Sequence, residues 1–491
     1  MQAKLNPFRK VAANSSLALV LKGISLPLGY VSNLVMARFF GAEQMGNYFI
    51  ALNLATILAI FCTFGLDKGV LRFAASLKAQ GSPGGVRQFI WPVFAFGVLL
   101  GVVCAAITIG ARDLLAERFH SPTLPMMLLL VICTIPLAVA TRIFAEAVRA
   151  LDGVKWVVLQ QQFLTPVLLL VFLLILIISG LNVRFQNGAI GLAFLGQTII
   201  GVVFLYCCYY FITPKIEKKN DKNYFNDILK YSFPIFLASF FSLCFNFLDS
   251  IILGLYTSPE QVAYYGVATK IAPFVGFSLV AVNAVVPPLF AEYFQNNDME
   301  NLERMAQTTA RWMYFISIPI VLIIILLGPE ILKMFGRDFL KAQFALSILA
   351  FSQLINVTVG SVGVIMWMTN LNWYYMVIQS GVGVCALPLL LVFASTWGIN
   401  GVALVSALAL IASNVLMAWI VWRRLKVKAF AQRIGWANLG GIAGVVLFFL
   451  AKPWIGSLVG GLIFAATYTL FVLKPLKQEI SMLRQQQWLG A

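Results

Sequence analysis

What most constrains this chain is the recurrence, along nearly its whole length, of apolar runs long enough to cross a hydrocarbon layer about 30 Å thick as a helix. Fourteen can be counted, at 14–36, 46–64, 88–110, 125–145, 157–180, 189–212, 231–255, 262–286, 308–328, 343–368, 373–394, 398–422, 434–451 and 454–473. A chain of 491 residues that is 61% hydrophobic and only 11% charged cannot hide that surface inside one water-soluble core. The fold class that follows is all-α and integral to the membrane, with about 14 transmembrane helices. The opening MQAKLNPFRK leads into a run too long for the core of a signal peptide, and it reads as the first retained helix.

The formal net charge of +17 would suit a nucleic-acid partner if the basic residues were clustered on one domain, but their placement follows the spans instead. With the N-terminus inside, 25 of the 35 Lys and Arg residues fall on cytoplasmic segments and eight on outer ones, leaving Lys22 and Lys270 within spans. That asymmetry is the positive-inside pattern, and it puts both termini in the cytoplasm with no nucleic-acid partner. Seven cysteines all lie in apolar spans without paired metal-ligand spacing, so they read as small buried hydrophobes. No cofactor is expected: GxxxxGK[ST] is absent, and no loop is long enough for a folded head.

Laid against itself at a shift of 217 residues, the chain shows a duplication. GAEQMGNYFIAL from Gly41 meets SPEQVAYYGVAT from Ser258, with Glu43 on Glu260, Gln44 on Gln261 and Tyr48 on Tyr265. Trp156 falls on Trp373, Gln162 on Gln379 and, after a short slip, Asn187-Gly188 on Asn400-Gly401. The domains read as an N-terminal six-helix lobe at 1–212, a basic cytoplasmic linker at 213–230, a C-terminal six-helix lobe at 231–430, and helices 13 and 14 with a tail at 431–491. Each unit has an even number of helices, so the copies enter the membrane from the same side.

Polar residues inside spans mark where chemistry could sit. Lys22, Ser25, Gly29, Ser32 and Asn33 share one face of the first helix, and Ser239, Ser242, Asn246, Asp249 and Ser250 repeat the pattern 217 residues later. Small and hydroxylated residues also let helices pack closely in lipid, a reading that needs no ligand. Lys22 is harder to explain that way, because it lies roughly 12 Å into its span, although a lysine can snorkel to an interface. Asp249 and Lys270, at depths of roughly 9 and 12 Å from the opposite end, are placed to form a structural ion pair or an exchanging gate. Arg142 and Arg149 close the fourth span at its cytoplasmic end, where they satisfy the positive-inside pattern and could also receive a diphosphate. Prolines at 27, 136, 166, 273 and 319, and the pair at 287 and 288, are expected to bend their helices.

The plan of six, six and two helices, with ARFFGAEQMGNY after the first helix and GLDKGVLRFAA closing the second, resembles the O-antigen-type polysaccharide flippases of the multidrug, oligosaccharidyl-lipid and polysaccharide exporter superfamily. The resemblance covers the whole chain. It implies two six-helix repeats forming a V-shaped cleft, with two further C-terminal helices, in a bacterial inner membrane. It implies also that a polyprenyl-diphosphate-linked glycan is moved from the cytoplasmic to the periplasmic leaflet by alternating access, for cell-surface polysaccharide biosynthesis. Lys22 and Lys270 match the basic cavity such flippases carry; Asp249 departs from it. Membrane lipids, and a polysaccharide polymerase or glycosyltransferases, are the partners this implies.

On the residues themselves, a diphosphate carries roughly two negative charges that cannot cross hydrocarbon unaided, and a basic wet cleft lowers that barrier. A cation-coupled antiporter for drugs or organic cations would instead need acids in the cavity, and Asp249 is the acid well inside a span, with Asp67 and Glu146 near span ends. A membrane enzyme would need a nucleophile or paired acids, and the single histidine, His120, has no evident nucleophile beside it. We expect no enzyme activity. Fluorescent-protein fusions at either terminus should both fluoresce, and an alkaline phosphatase fusion at either should be inactive; the opposite result at one terminus would break the even helix count.

Overall fold

The computed structural model of the chain describes the backbone at 7–80, 85–181, 187–213, 224–432 and 434–485. Within those segments side chains are described from Val20 to Val472, except at 234–235, 237–239, 241–246, 454–455 and 458. Among the described residues the regular structure is helical, and ten stretches are long and apolar enough to cross a membrane. The stretch Val20–Thr63 holds two helices, Pro7–Val35 and Gly41–Thr63, joined by a π turn at Met36–Phe40. Asn372–Leu425 also holds two, divided at Gly398, whose φ of +54° and ψ of −129° no helix accommodates. With the shorter apolar stretches Phe247–Tyr256 and Val459–Val472, the tally returns to fourteen, each at a span expected from the sequence.

The prolines act unequally. Pro273 sits in a 3-10 turn at Ala272–Gly276 that breaks the helix between Pro259–Ile271 and Phe277–Asn283, and Pro166 opens Thr165–Ile178 after a π turn at Gln160–Leu164. Pro27 and Pro319 instead stay inside continuous helices. One break carries no proline signal: Gly360, at φ +80°, ends Gln343–Val359. Of the expected linker, residues 214–223 lie outside those described, and Tyr224–Lys230 already belong to the helix Tyr224–Tyr256.

Two compact units emerge. One comprises Met1–Val267 with Gly383–Val402, the other Ala268–Val382 with Ala403–Ala491. In the first, Gly41–Thr63 lies at the centre, packed along Val86–Gly110, Leu124–Ile132, Ile135–Ala150 and Tyr224–Tyr256. Its early residues also meet their own duplicates. A methyl group built on Gly46 would stand 1.8 Å from the carbonyl oxygen of Pro259, and one on Gly266 would stand 2.3 Å from the ring of Phe49. Gly266 is the 217-residue counterpart of Phe49, so this contact joins equivalent positions of the two repeats. A short polar latch holds the same helix end: Asn47 Nδ2 donates to Thr123 Oγ1 at 2.8 Å, Thr123 Oγ1 to Glu43 Oε1 at 2.7 Å, and Ser121 Oγ to Asn47 Oδ1 at 2.9 Å. The Glu and Asn of ARFFGAEQMGNY therefore fasten the 120–124 turn.

In the second unit Met299–Leu326 packs against Gln343–Val359 and against Gly435–Gln485, which bends at Gly456. The Tyr314 hydroxyl donates to Asn438 Oδ1 and the Tyr468 hydroxyl to the Phe315 carbonyl, both at 2.7 Å. The two arms of Gly435–Gln485 interlock by exchanging small and large residues, since Gly444 receives Phe464 and Gly460 receives Phe448. In lipid no hydrophobic force drives helices together, and such close packing takes its place. A Cβ on Gly444 would come within 2.6 Å of the Phe464 ring, so Gly444→Leu should cost about 1–3 kcal/mol and lower the melting temperature of the detergent-solubilised protein. An unchanged melting temperature would mean that the two arms do not pack in this register.

Candidate functional site

The helix Pro7–Val35 presents two opposed faces. Val20, Ile24 and Val31 are exposed by 59%, 43% and 40%, and Pro27 is exposed with them. At 100° per residue, this apolar stripe lies about 160° around the helix from the stripe of Lys22, Ser25, Gly29, Ser32 and Asn33. On the polar stripe Lys22, Ser25 and Gly29 are half-buried, while Ser32 and Asn33 are buried. The apolar stripe is thus the open side of the helix and the polar stripe its more covered side, and the helix packs along Val154–Leu159, Gln160–Leu164 and Thr165–Ile178.

That covered face is not filled. A methyl built on Gly29 would meet no described atom within 4 Å, so the space beside the middle of the polar stripe is open. Ser32 Oγ donates back to the Leu28 carbonyl at 2.9 Å and Asn33 Nδ2 to the Gly29 carbonyl at 2.7 Å. Asn33 Oδ1 is sealed from solvent and receives no hydrogen bond from a described residue. Lys22 pairs with no described carboxylate and donates no hydrogen bond to a described group. About three turns of this face thus carry a cation, hydroxyl groups and an unmet acceptor, with open space at Gly29 in their middle.

A second group forms where Leu66–Ala79 meets Ile135–Ala150. Glu146 Oε1 accepts from Arg149 Nη1 at 2.6 Å and lies 3.6 Å from Lys68 Nζ, which is also 3.6 Å from Asp67 Oδ2. The charge of Asp67 reaches Arg142, one helical turn before Glu146. The GLDKG segment is local architecture too. Gly65, at φ +71°, and Gly69 bring this helix against Tyr224–Tyr256, where a Cβ on either would come within 2.6 Å of Ser232.

Asp249 is held by hydrogen bonds that its depth alone did not suggest. Its Oδ2 accepts from the Tyr265 hydroxyl at 2.6 Å, and its Oδ1 accepts from the Ser250 amide at 2.7 Å. Lys270 is exposed near the end of Pro259–Ile271. Asn246 carries a side chain outside the described residues. The geometry thus gathers Lys22, Ser25 and Asn33 on one stripe, and Arg142 with Arg149 in one cluster. Sequence reasoning missed Tyr265 as a ligand of Asp249, although its match to Tyr48 singled it out, and missed Lys68 as the partner of Glu146.

Residues 11–294, more than half of the chain, match the family model described as polysaccharide biosynthesis protein, and residues 234–363 match the MatE model. The chain belongs to the polysaccharide biosynthesis protein family. Membership bears out the superfamily resemblance read from ARFFGAEQMGNY and GLDKGVLRFAA. Among curated relatives of the family member, a protein of Haloferax volcanii named "Probable low-salt glycan biosynthesis flippase Agl15" is 24% identical over 249 residues, 49% of this chain and 51% of that protein. Stage V sporulation protein B of Bacillus subtilis is 21% identical over 267 residues, 52% of this chain and 51% of that protein. These two matches span about half the length of the relatives. An uncharacterized membrane protein of Methanocaldococcus jannaschii is 20% identical over 69% of both chains. Among solved structures, the lipid II flippase MurJ in an inward closed conformation superposes with a TM-score of 0.76 at 16% identity, covering 94% of this chain and 99% of that one. An inward-facing multidrug resistance transporter of the MATE family gives a TM-score of 0.69 at 14% identity, covering 84% and 98%. At these identities the shared property is the fold, a multi-pass all-α membrane transporter architecture.

Removing the Tyr265 hydroxyl leaves a partly buried carboxylate short of a donor, so Tyr265→Phe should destabilise by about 1.5–3 kcal/mol and lower the melting temperature. Asp249→Asn combined with Tyr265→Phe should cost less than the sum of the single changes, since the two share one interaction. Additive losses would show that the two groups act separately.

Proposed function

We propose that this protein is a flippase that moves a lipid-diphosphate-linked oligosaccharide from the cytoplasmic to the outer leaflet of a bacterial inner membrane, serving cell-surface polysaccharide biosynthesis of the O-antigen and lipopolysaccharide kind. The observation that carries the reading is Lys22: a cation without a described counter-ion, half-buried on the polar stripe whose Gly29 borders open space, opposite the exposed apolar stripe of the same helix. A lysine facing hydrocarbon costs a few kcal/mol, and one facing a wet interior does not. Such a charge lowers the barrier for an anionic headgroup and raises it for a cation.

In this reading, Arg142 and Arg149 meet the diphosphate at the cytoplasmic end, where a guanidinium fork matches phosphate geometry. Lys22, with Ser25 and Asn33, holds it midway, and the sealed Oδ1 of Asn33 accepts from a sugar hydroxyl or a bridging water. Asn246, Asp249 and Lys270 line the second repeat's share of the route. The prenyl tail stays in the bilayer, so only the headgroup needs a polar path. Both termini lie in the cytoplasm, the chain performs no covalent chemistry, and the enzymes that supply or polymerise the glycan are its functional partners. The homologues favour the same reading, since one is named a glycan biosynthesis flippase. The alternative, a cation-coupled exporter of organic cations, draws support from the MatE match at 234–363, yet its one deep acid, Asp249, is already engaged by Tyr265 and Ser250.

In cells lacking their own flippase, a plasmid copy should restore surface glycan, Lys22→Ala should reduce it at least tenfold, and Lys22→Arg should retain most of it. None of the three should alter resistance to ethidium or other organic cations. Full glycan display by Lys22→Ala, or a resistance phenotype without glycan display, would overturn the proposal.

A further inference from the structure

The cluster around Glu146 has an arrangement that a plain helix clamp does not require. The Glu146 side chain is 9% exposed, whereas its partners Arg149 and Lys68 are 33% and 50% exposed. The acid therefore lies behind the two cations, and an anion arriving from water meets the cations first. Both are held by the same oxygen, Oε1; Oε2 is sealed from solvent and receives no hydrogen bond from a described residue. The two holds differ. Arg149 Nη1 makes a short charge-assisted hydrogen bond at 2.6 Å, leaving most of its five N–H donors unspent. Lys68 Nζ stands 3.6 Å from Glu146 and 3.6 Å from Asp67, beyond hydrogen-bond range, so only Coulomb attraction retains it.

Charge in this cluster is close to balance but not at it. Lys68, Arg142 and Arg149 face Asp67 and Glu146, three cations against two carboxylates. A doubly charged headgroup entering the cluster is attracted by the cations and repelled by Glu146 from behind them.

We propose that Glu146 is a resident counter-anion, which positions Arg149 and Lys68 toward water and attenuates their charge, so that a phosphorylated headgroup is captured weakly enough to be passed on. Glu146 is a positioning and specificity residue; it touches the two cations and the cations touch the ligand. The inference rests on the flippase reading for its ligand, a lipid diphosphate, while the chemistry it names is that of any diphosphate. A mere clamp between the two helices would make loss of the acid weaken both stability and binding. A counter-anion makes its loss strengthen binding, because neutral glutamine keeps the shape and removes the repulsion.

The test is equilibrium binding of farnesyl diphosphate, with inorganic diphosphate and farnesol as parallel probes, to the full chain purified in a non-ionic detergent at low salt. Glu146→Gln should tighten farnesyl diphosphate at least threefold, leave farnesol unchanged, and lose the gain when Arg149→Gln is added. The gain should also shrink as salt rises. Inorganic diphosphate competing as well as the prenyl form would assign the site to the phosphates alone; dependence on the prenyl chain would assign it to lipid, and the counter-anion role stands in both cases. Unchanged or weakened binding by a folded Glu146→Gln, with wild type binding normally, overturns the inference and leaves the flippase reading intact. Failure of wild type and variant alike to bind any diphosphate overturns both. Should Glu146→Gln not fold, Lys68→Gln and Arg149→Gln must each weaken farnesyl diphosphate binding, and binding unaffected by both removes the site.

Discussion

A charged or hydrogen-bonding side chain in hydrocarbon must find a partner or face away from lipid, and the orientation of the first helix follows from that constraint. Val20, Ile24, Pro27 and Val31 occupy one face of Pro7–Val35, and Lys22, Ser25, Gly29, Ser32 and Asn33 occupy the other. Only one rotation of such a helix is affordable in a bilayer. Gly29 sits at the centre of the polar stripe and leaves room beside it, two turns along the same face from Lys22. The candidate site is a consequence of this rotation.

The duplication adds a second constraint. Equivalent segments meet, with Phe49 against Gly266 and Gly46 against Pro259, at distances that no side chain on either glycine would permit. Close approach of backbones replaces the hydrophobic effect as the cohesive force. Directional bonds then fix the register: Glu43 and Asn47 to the 120–124 turn, Tyr265 to Asp249, Tyr314 to Asn438. The polar groups that make these bonds are satisfied within the protein, Asp249 among them.

Much of this was legible in the sequence, and the reason is specific to membranes. A span of apolar residues has one stable backbone in lipid, so all fourteen helices could be placed from hydropathy, and the shift that aligned Tyr48 with Tyr265 exposed the repeat. Periodicity put Lys22 and Asn33 on one face, where the structure has them. Partnerships were another matter. Depth along a helix is readable at 1.5 Å per residue, but the neighbour across the interface is set by tertiary packing. Depth therefore points from Asp249 to Lys270 but says nothing of the Tyr265 hydroxyl that donates to Asp249, and position near a span end marks Glu146 as an acid without naming Lys68 as its neighbour. The break at Gly360 was likewise silent, because a glycine in an apolar run gives no sign of its φ.

Everything turns on the polar stripe of the first helix facing a wet interior. In a background with its native cysteines replaced, single cysteines at 24 and at 29 should respond oppositely to a charged, membrane-impermeant thiol reagent in intact liposomes bearing the protein. Reaction at 29 with protection at 24 is the result this account predicts. Protection at 29 with reagent on either side, or equal labelling at both positions, would contradict it.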